Sequence, residues 1–353
     1  MPSRVLIISP NWIGDAIMAQ PLLQLLKQRY PSLTIDVLAP AWVAPVWQAM
    51  EEVNDVHESS FKHGQLQLKD RFAMARFLKS LDYDQAYVLP NTLKFALIPW
   101  LAKIPERIGY LGETRYGLLN VIHHDDKRHP RPMMAFYAAL ADKPARNIGS
   151  KFASLHPRLH IDEKEINEVR KRLNLIEGRL MIAFAPGAEF GSAKRWPVSH
   201  FSVLADMIFR FYPNAQIVLL GSARDNDVCE AIHSNVPGTL NLAGKTSLKE
   251  AIALIAGVDI LVTNDSGLMH VASAFDLPVV ALYGPTDYRH TPPFSTRSYI
   301  MSLDLDCAPC QKRECPLGHH KCMEELMPQG IFETIKAIVH KNNLCADLES
   351  KLL

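Results

Sequence analysis

No stretch of this 353-residue chain approaches the roughly 20 consecutive apolar residues of a membrane-spanning helix, so a transmembrane role is excluded. The early apolar run, Val5 to Ile8, gives way to Ser9, Pro10 and Asn11 and is too short for a signal-peptide core. An excess of charge is missing too. Lys plus Arg number 38 against 37 Asp plus Glu, so no global field draws nucleic acid, and any anionic ligand must be held by local geometry. With no secretion signal, six cysteines in so long a chain do not make a disulfide framework, because cytosolic thiols are kept reduced. The chain is expected to be cytoplasmic, with contact at a membrane surface left open.

Glycine-rich phosphate motifs are absent as well. VLIISPNWIGD offers one glycine where the dinucleotide fingerprint wants three, which excludes a nicotinamide-cofactor loop after the first strand. GTLNLAGKTS is a near miss for a P-loop, with five residues rather than four between Gly238 and Gly244. Low-complexity tracts and short-period repeats are not found.

What is present is an alternation of short β-branched runs with amphipathic segments, the pattern of βα units and a parallel sheet. Runs at Val5 to Ser9, Thr34 to Ala39 and Gln85 to Pro90 belong to a first half. Those at Leu180 to Gly187, Ala215 to Ser222, Asp259 to Asp265 and Pro278 to Pro285 belong to a second. Strands apolar along their whole length are covered on both faces, so each half is expected to be a doubly wound α/β domain. The length exceeds what one core supports. The boundary is placed at the charged stretch after Leu159, giving domains 1–160 and 161–328 and a terminal helical segment, 329–353, with an apolar face that could pack back on the first domain.

Three loops carry chemistry. In SPNWIGDAIMAQ a strand leads through Trp12 and Gly14 to Asp15 at a helix start. Asp15 can be read as an N-cap, or as a general base facing the crevice beyond the strand's carboxyl end. In APGAEFGSAKRWP, small residues including Gly187 and Ala188 let a ligand approach the backbone, and Lys194 supplies a point charge for a diphosphate. In VTNDSGLMHVASAF, free N–H groups near Gly267 and Leu268 at a helix N-terminus form an anion site. Asp265 would repel a phosphate there and suits sugar hydroxyls, although Asp265 and Ser266 can also be read as caps. His270 lies in the first turn, off the apolar face, and reads equally as structural or functional. Late in the chain, CAPCQKRECPLGHHKC places Cys307, Cys310, Cys315 and Cys322 in one loop, to be read either as reduced or redox-labile thiols or as four soft ligands that could close a structural zinc site, although the spacing matches no standard finger.

NWIGD, PGAEFGSAKRWP, NLAGKTSL and TNDSGLMHVA, in this order over nearly the whole chain, resemble the ADP-heptose:lipopolysaccharide heptosyltransferases. YVLPNTLKFALIPW and GETRYGLLN favour the branch that adds the second inner-core heptose over the branch that adds the first. The resemblance implies a GT-B architecture, two Rossmann-like domains facing across a cleft, with acceptor bound by the N-terminal domain and ADP-heptose by the C-terminal one. It implies inverting transfer of L-glycero-D-manno-heptose to the first heptose of the lipopolysaccharide inner core (heptosyl-Kdo2-lipid A), without a catalytic metal or other cofactor, at the cytoplasmic face of the inner membrane. Catalysis then falls to Asp15 and Lys194. Donor contacts fall to Gly187, Ala188, Glu189, Lys194, Asp265, Ser266, Gly267, Leu268 and His270. Asn11, Trp12, Lys94, Arg107, Arg115 and Arg131 are candidates for the anionic acceptor. Another nucleotide-sugar transferase of the same architecture, or the first heptosyltransferase, is the alternative; Asp-x-Asp pairs at Asp225/Asp227 and Asp304/Asp306 are read as chance matches.

Overall fold

The computed structural model describes residues 2–61, 65–125, 132–144 and 155–344. It divides into two compact units, Met1–His160 and Ile161–Leu353.

The first unit is built on six parallel strands: β1 (Arg4–Ile8), β2 (Thr34–Pro40), β3 (Asp55–Ser59), β4 (Gln85–Val88), β5 (Glu106–Tyr110) and β6 (Val121–His123). Their order across the sheet is β3-β2-β1-β4-β5-β6. The chain winds outward one way from β1 and then, after β3, starts again at β4 on the other side, so the crevice between the carboxyl ends of β1 and β4 is a topological switch point. Val5, Leu6, Ile7 and Ile8 are fully buried, as expected for a central strand covered on both faces. A charged residue is buried on the neighbouring strand. Asp36 on β2 is held by the Arg4 guanidinium (2.7 Å), the Asn54 amide (2.9 Å) and the Tyr83 hydroxyl (2.8 Å), which offsets its desolvation.

The second unit repeats the plan with β7 (Met181–Ala185), β8 (Gln216–Leu219), β9 (Leu240–Asn241), β10 (Ile260–Asn264), β11 (Val279–Leu282) and β12 (Ser298–Met301). The order is β12-β11-β10-β7-β8-β9, again parallel throughout. Its switch point lies between β7 and β10.

The terminal helix, Pro328–Lys341, has the expected apolar face. Ile331, Phe332, Ile335, Ile338 and Val339 are buried in the second unit's core with Phe201, Leu204, Ile208 and Val280. An amphipathic pattern states that a face must be covered and not what covers it. Residues 345–353, the end of that expected segment, lie outside the described residues.

Candidate active site

In the second unit the loops after β7 and β10 meet at the switch point. The Asn264 side chain joins them, its Nδ2 donating to the Pro186 carbonyl (2.7 Å) while its Oδ1 accepts from the Trp196 N–H (3.1 Å). Gly187 and Gly191 let other segments approach the β7 loop: a side chain at the first would strike the Asp225 carboxylate, and at the second the Arg313 carbonyl. Lys194, at the end of the short 3-10 turn Ser192–Lys194, reaches across to Asp265. Its Nζ lies 2.6 Å from Asp265 Oδ2, with the two side chains only 12% and 7% exposed. Thr286 Oγ1, beyond the end of β11, donates to the same carboxylate oxygen at 2.7 Å. The face of Phe190 lies 4.8 Å from the ammonium, adding a cation–π contact.

The helix Gly267–Ala274 starts directly after this pair. Ser266 is its N-cap residue but makes no side-chain capping bond, its Oγ lying instead 3.1 Å from Thr263 Oγ1. The N–H groups of the first turn are therefore not taken by a cap, and with the helix dipole they attract an anion. Asp265 is not a cap either; it is the partner of Lys194. His270 departs from the expected position off the apolar face. It is buried, as are Met269 and Val271 to Ala274, and burial drives its pKa down to about 4, so the imidazole is neutral at physiological pH. Glu189 is at the surface, paired with Arg224 at 2.6 Å. The Asp225 carboxylate accepts from the Ser222 N–H and hydroxyl, both within 2.9 Å.

In the first unit the loop after β1 is pinned by two tryptophans. Trp47 Nε1 donates to Ser9 Oγ at 2.7 Å, and Trp42 Nε1 to the Asn11 carbonyl at 3.1 Å. The helix Ile13–Arg29 follows with Trp12 as its N-cap residue, so Asp15 sits within the first turn and not at the cap. Asp15 is partly buried and, among the described residues, no hydrogen bond reaches its carboxylate. Desolvation raises its pKa to about 6. The phenol of Tyr137, on the helix Met133–Ala138 that packs against it, is held well above its ordinary pKa by burial and then by the charge of Asp15. A carboxylate ionised at neutral pH yet more basic than usual, and uncommitted, is suited to accept a proton.

The acceptor candidates separate. Asn11 and Trp12 lie on the β1 loop, Trp12 half exposed, and Lys94 is in the first turn of the helix Leu93–Leu101 that follows β4. Arg107 and Arg115 are turned inward. Arg107 donates to the carbonyls of Leu118 (2.6 Å) and Ile104 (2.7 Å). Arg115 is fully buried and donates to the carbonyls of Pro90 (2.6 Å) and Tyr110, bracing the loop after β4. Both guanidinium groups serve backbone carbonyls, which only the fold reveals. Arg131 lies outside the described residues. Missed by sequence reasoning were Thr286 and Asn264, the groups that hold the Lys194–Asp265 pair and its loops. Their position just beyond or at the ends of apolar strands was the available signal.

Among the described residues no three His, Cys, Asp or Glu side chains come together to hold a metal ion, and Cys307, Cys310, Cys315 and Cys322 are free thiols. No helix among them is long and apolar enough to cross a membrane.

Two doubly wound Rossmann-like units, each with its polar loops at the switch point, are the architecture of GT-B glycosyltransferases. The chain belongs to glycosyltransferase family 9 (heptosyltransferase), whose signature matches residues 71–321, and it is an enzyme of glycosyl transfer. It is 40% identical over 349 residues to lipopolysaccharide heptosyltransferase 2 of Salmonella typhimurium, covering 97% of this chain and 100% of that one. Its similarity to lipopolysaccharide heptosyltransferase 1 of Pseudomonas aeruginosa is lower, 26% over 326 residues, covering 88% of this chain and 87% of that one. Among solved structures, Escherichia coli ADP-heptose lipopolysaccharide heptosyltransferase II superposes with a TM-score of 0.85 at 38% identity, over 96% of this chain and 99% of that one.

Proposed function

We propose that this enzyme transfers L-glycero-D-manno-heptose from ADP-heptose to the first heptose of the lipopolysaccharide inner core, with inversion, working in the cytoplasm. The observation that carries the donor half is the buried Lys194 ammonium beside the uncapped start of the helix Gly267–Ala274. Such a place favours a diphosphate and no other common part of a sugar donor. In the unliganded protein Asp265 holds the ammonium in position; when ADP-heptose binds, the diphosphate takes over Lys194, and Asp265 turns to hydroxyls of the donor. Asp15 takes the proton from the acceptor hydroxyl as its oxygen attacks the anomeric carbon. The bond to ADP breaks on the opposite face, and the negative charge that develops on the diphosphate is met by Lys194 and the first-turn N–H groups, preorganised donors worth about 3 to 4 kcal/mol each. No metal is required in this reading.

The test is to incubate the purified protein with ADP-heptose and a mono-heptosylated acceptor in EDTA and weigh the product. A gain of one heptose is expected. Transfer abolished by EDTA and restored by magnesium or manganese would refute the metal-free donor site, and transfer of a different sugar only would refute the donor assignment.

The cysteine loop stands apart from this chemistry, and we read it as the seat of a structural zinc ion. The Cys315 sulfur collects backbone N–H groups of His320, Leu317, Gly318 and His319, the setting in which a thiolate ligand is kept. Cys307, Cys310 and Cys322 are the other ligands, and the metal would have to draw them together. Elemental analysis of protein purified under reducing conditions should find about one zinc per chain; its absence removes the assignment. Contact with the inner membrane surface is read onto the helices Leu68–Lys79 and Leu93–Leu101, which expose Leu68, Phe72, Phe77 and Trp100 beside Lys69, Arg76 and Lys79. Co-sedimentation with anionic vesicles, weakened in Phe72→Glu, is the check; equal binding of both proteins refutes it.

A further inference from the structure

Arg71 is absent from the chemistry above, and its setting is unusual. It lies in the first turns of the helix Leu68–Lys79, its side chain wholly buried. The guanidinium carbon is 4.3 Å from the centre of the Phe61 ring and 5.2 Å from that of Phe95. Its Nε donates to the Leu66 carbonyl (2.6 Å) and its Nη1 to the Lys94 carbonyl (3.0 Å). The Nη2 group is buried and has no partner among the described residues. An unpaired buried donor on a charged group costs more than a neutral one, so this nitrogen calls for an acceptor that the described residues do not provide.

The space beside it shows what kind. Arg71 lines a small concavity together with Asn11, Pro40, Trp42, Ser59, Phe61, Lys94 and Phe95. Pro40 and Ser59 are the last residues of β2 and β3, and Asn11 follows β1. Lys94 opens the helix after β4. The concavity therefore lies at the carboxyl ends of the strands, and Asn11 in its lining belongs to the β1 loop that leads into the helix carrying Asp15. Two cations and no carboxylate line it, and among the described residues Lys94 has no acidic partner within ion-pair distance.

We infer that Arg71 and Lys94 form an anion subsite in the first unit that takes a carboxylate or phosphoryl group of the acceptor glycan and so sets the acceptor's register on Asp15. This rests on the acceptor reading given above. The stacked, doubly braced guanidinium holds one N–H-bearing nitrogen ready for an oxyanion, a charge-assisted bond of the strong kind, and Lys94 supplies a second, movable charge. Phe61 and Phe95 set apolar rings against the guanidinium, which keeps it oriented.

The experiment measures acceptor KM at saturating donor for the wild type, Arg71→Lys and Lys94→Met. Each is assayed with the intact acceptor, with one whose sugar-acid carboxylates are methyl esters and with one stripped of phosphate. Each variant should raise the KM for the intact acceptor about tenfold with donor KM unchanged. On the modified acceptor that lacks the recognised group, the wild type should fall to the variants' level and the variants should lose little more. That coupling identifies carboxylate or phosphate as the occupant; penalties that simply multiply for both modified acceptors overturn the subsite. Lys94→Met keeps the backbone carbonyl that braces Arg71, so it remains informative if Arg71→Lys folds poorly. A readout without turnover is the fluorescence of Trp42 on titration with lipid-free acceptor glycan. Quenching that saturates in the wild type and is lost in both variants supports the subsite even if no heptose is transferred, whereas quenching equal in all three proteins, or none, overturns it.

Discussion

The two units share a strand order and place their polar loops at the same switch point, yet they treat a carboxylate in opposite ways. Asp265, after β10, is tied to Lys194 and Thr286 at 2.6 and 2.7 Å. Asp15, after β1, has no bonded partner among the described residues and is raised to about 6 by desolvation. Topology fixes where a ligand is met, and the partners of each carboxylate decide what it can do there. A paired carboxylate positions a cation, while an unpaired, partly buried one has basicity to spare.

The largest effect expected is at Asp15. Asp15→Asn should reduce kcat by about a hundredfold or more, the usual scale for loss of a general base, with ADP affinity unchanged; turnover within about threefold of wild type would leave Asp15 with no chemical role. The same change should stabilise the protein. A carboxyl raised from 3.8 to about 6 makes the folded state bind a proton that the unfolded state has already lost, so stability falls as pH rises between those values and the full penalty persists above them. At pH 7 Asp15→Asn should thus gain up to about 3 kcal/mol in denaturant unfolding, a gain that vanishes below pH about 4. Destabilisation at pH 7 would contradict the uncommitted carboxylate.

Lys194→Ala should act in the reverse sense, since it strands Asp265 buried with Thr286 alone. A loss of about 3 to 5 kcal/mol is expected, with ADP binding weaker by about tenfold or more in calorimetric titration. Adding Asp265→Ala should recover part of the stability and none of the affinity. An unchanged dissociation constant and kcat in Lys194→Ala would remove the lysine from the site. The smallest effect on chemistry belongs to the cysteine loop. Replacing Cys310 and Cys315 by Ser should release the zinc and lower Tm, with activity declining only as far as the folded fraction does; a loss of activity in fully folded protein would give the loop a chemical role.

Much of this arrangement is legible in the sequence because strand and loop signals are local. β-Branched runs ending in Ser9-Pro10-Asn11, Pro186-Gly187 and Asn264-Asp265 mark strand ends, and in a doubly wound sheet strand ends are where ligands go. Pairings between distant segments are not legible. Lys194 and Asp265 are far apart in sequence, and each read alone suggested a separate ligand contact. Asp15 can be read as a cap as well as a base because Ser, Asp and Asn usually are caps, but the helix begins earlier, at Ile13. His270 reads as a solvent-facing position, yet this short helix is buried almost all round, and nothing in so few residues distinguishes a helix with one apolar face from one with two. Arg115, and Arg71 with it, look like surface charges, the default for arginine; only the carbonyls and rings that gather around them show otherwise.

The most direct test of the central claim is the pH dependence of kcat/KM for heptosyl transfer in the wild type and in Asp15→Asn. If Asp15 is the base, wild-type kcat/KM should rise about tenfold per pH unit on the acid side and level off above a pKa of about 6, and Asp15→Asn should show residual activity without that limb. A limb of the same position and slope in Asp15→Asn would assign the base to another group.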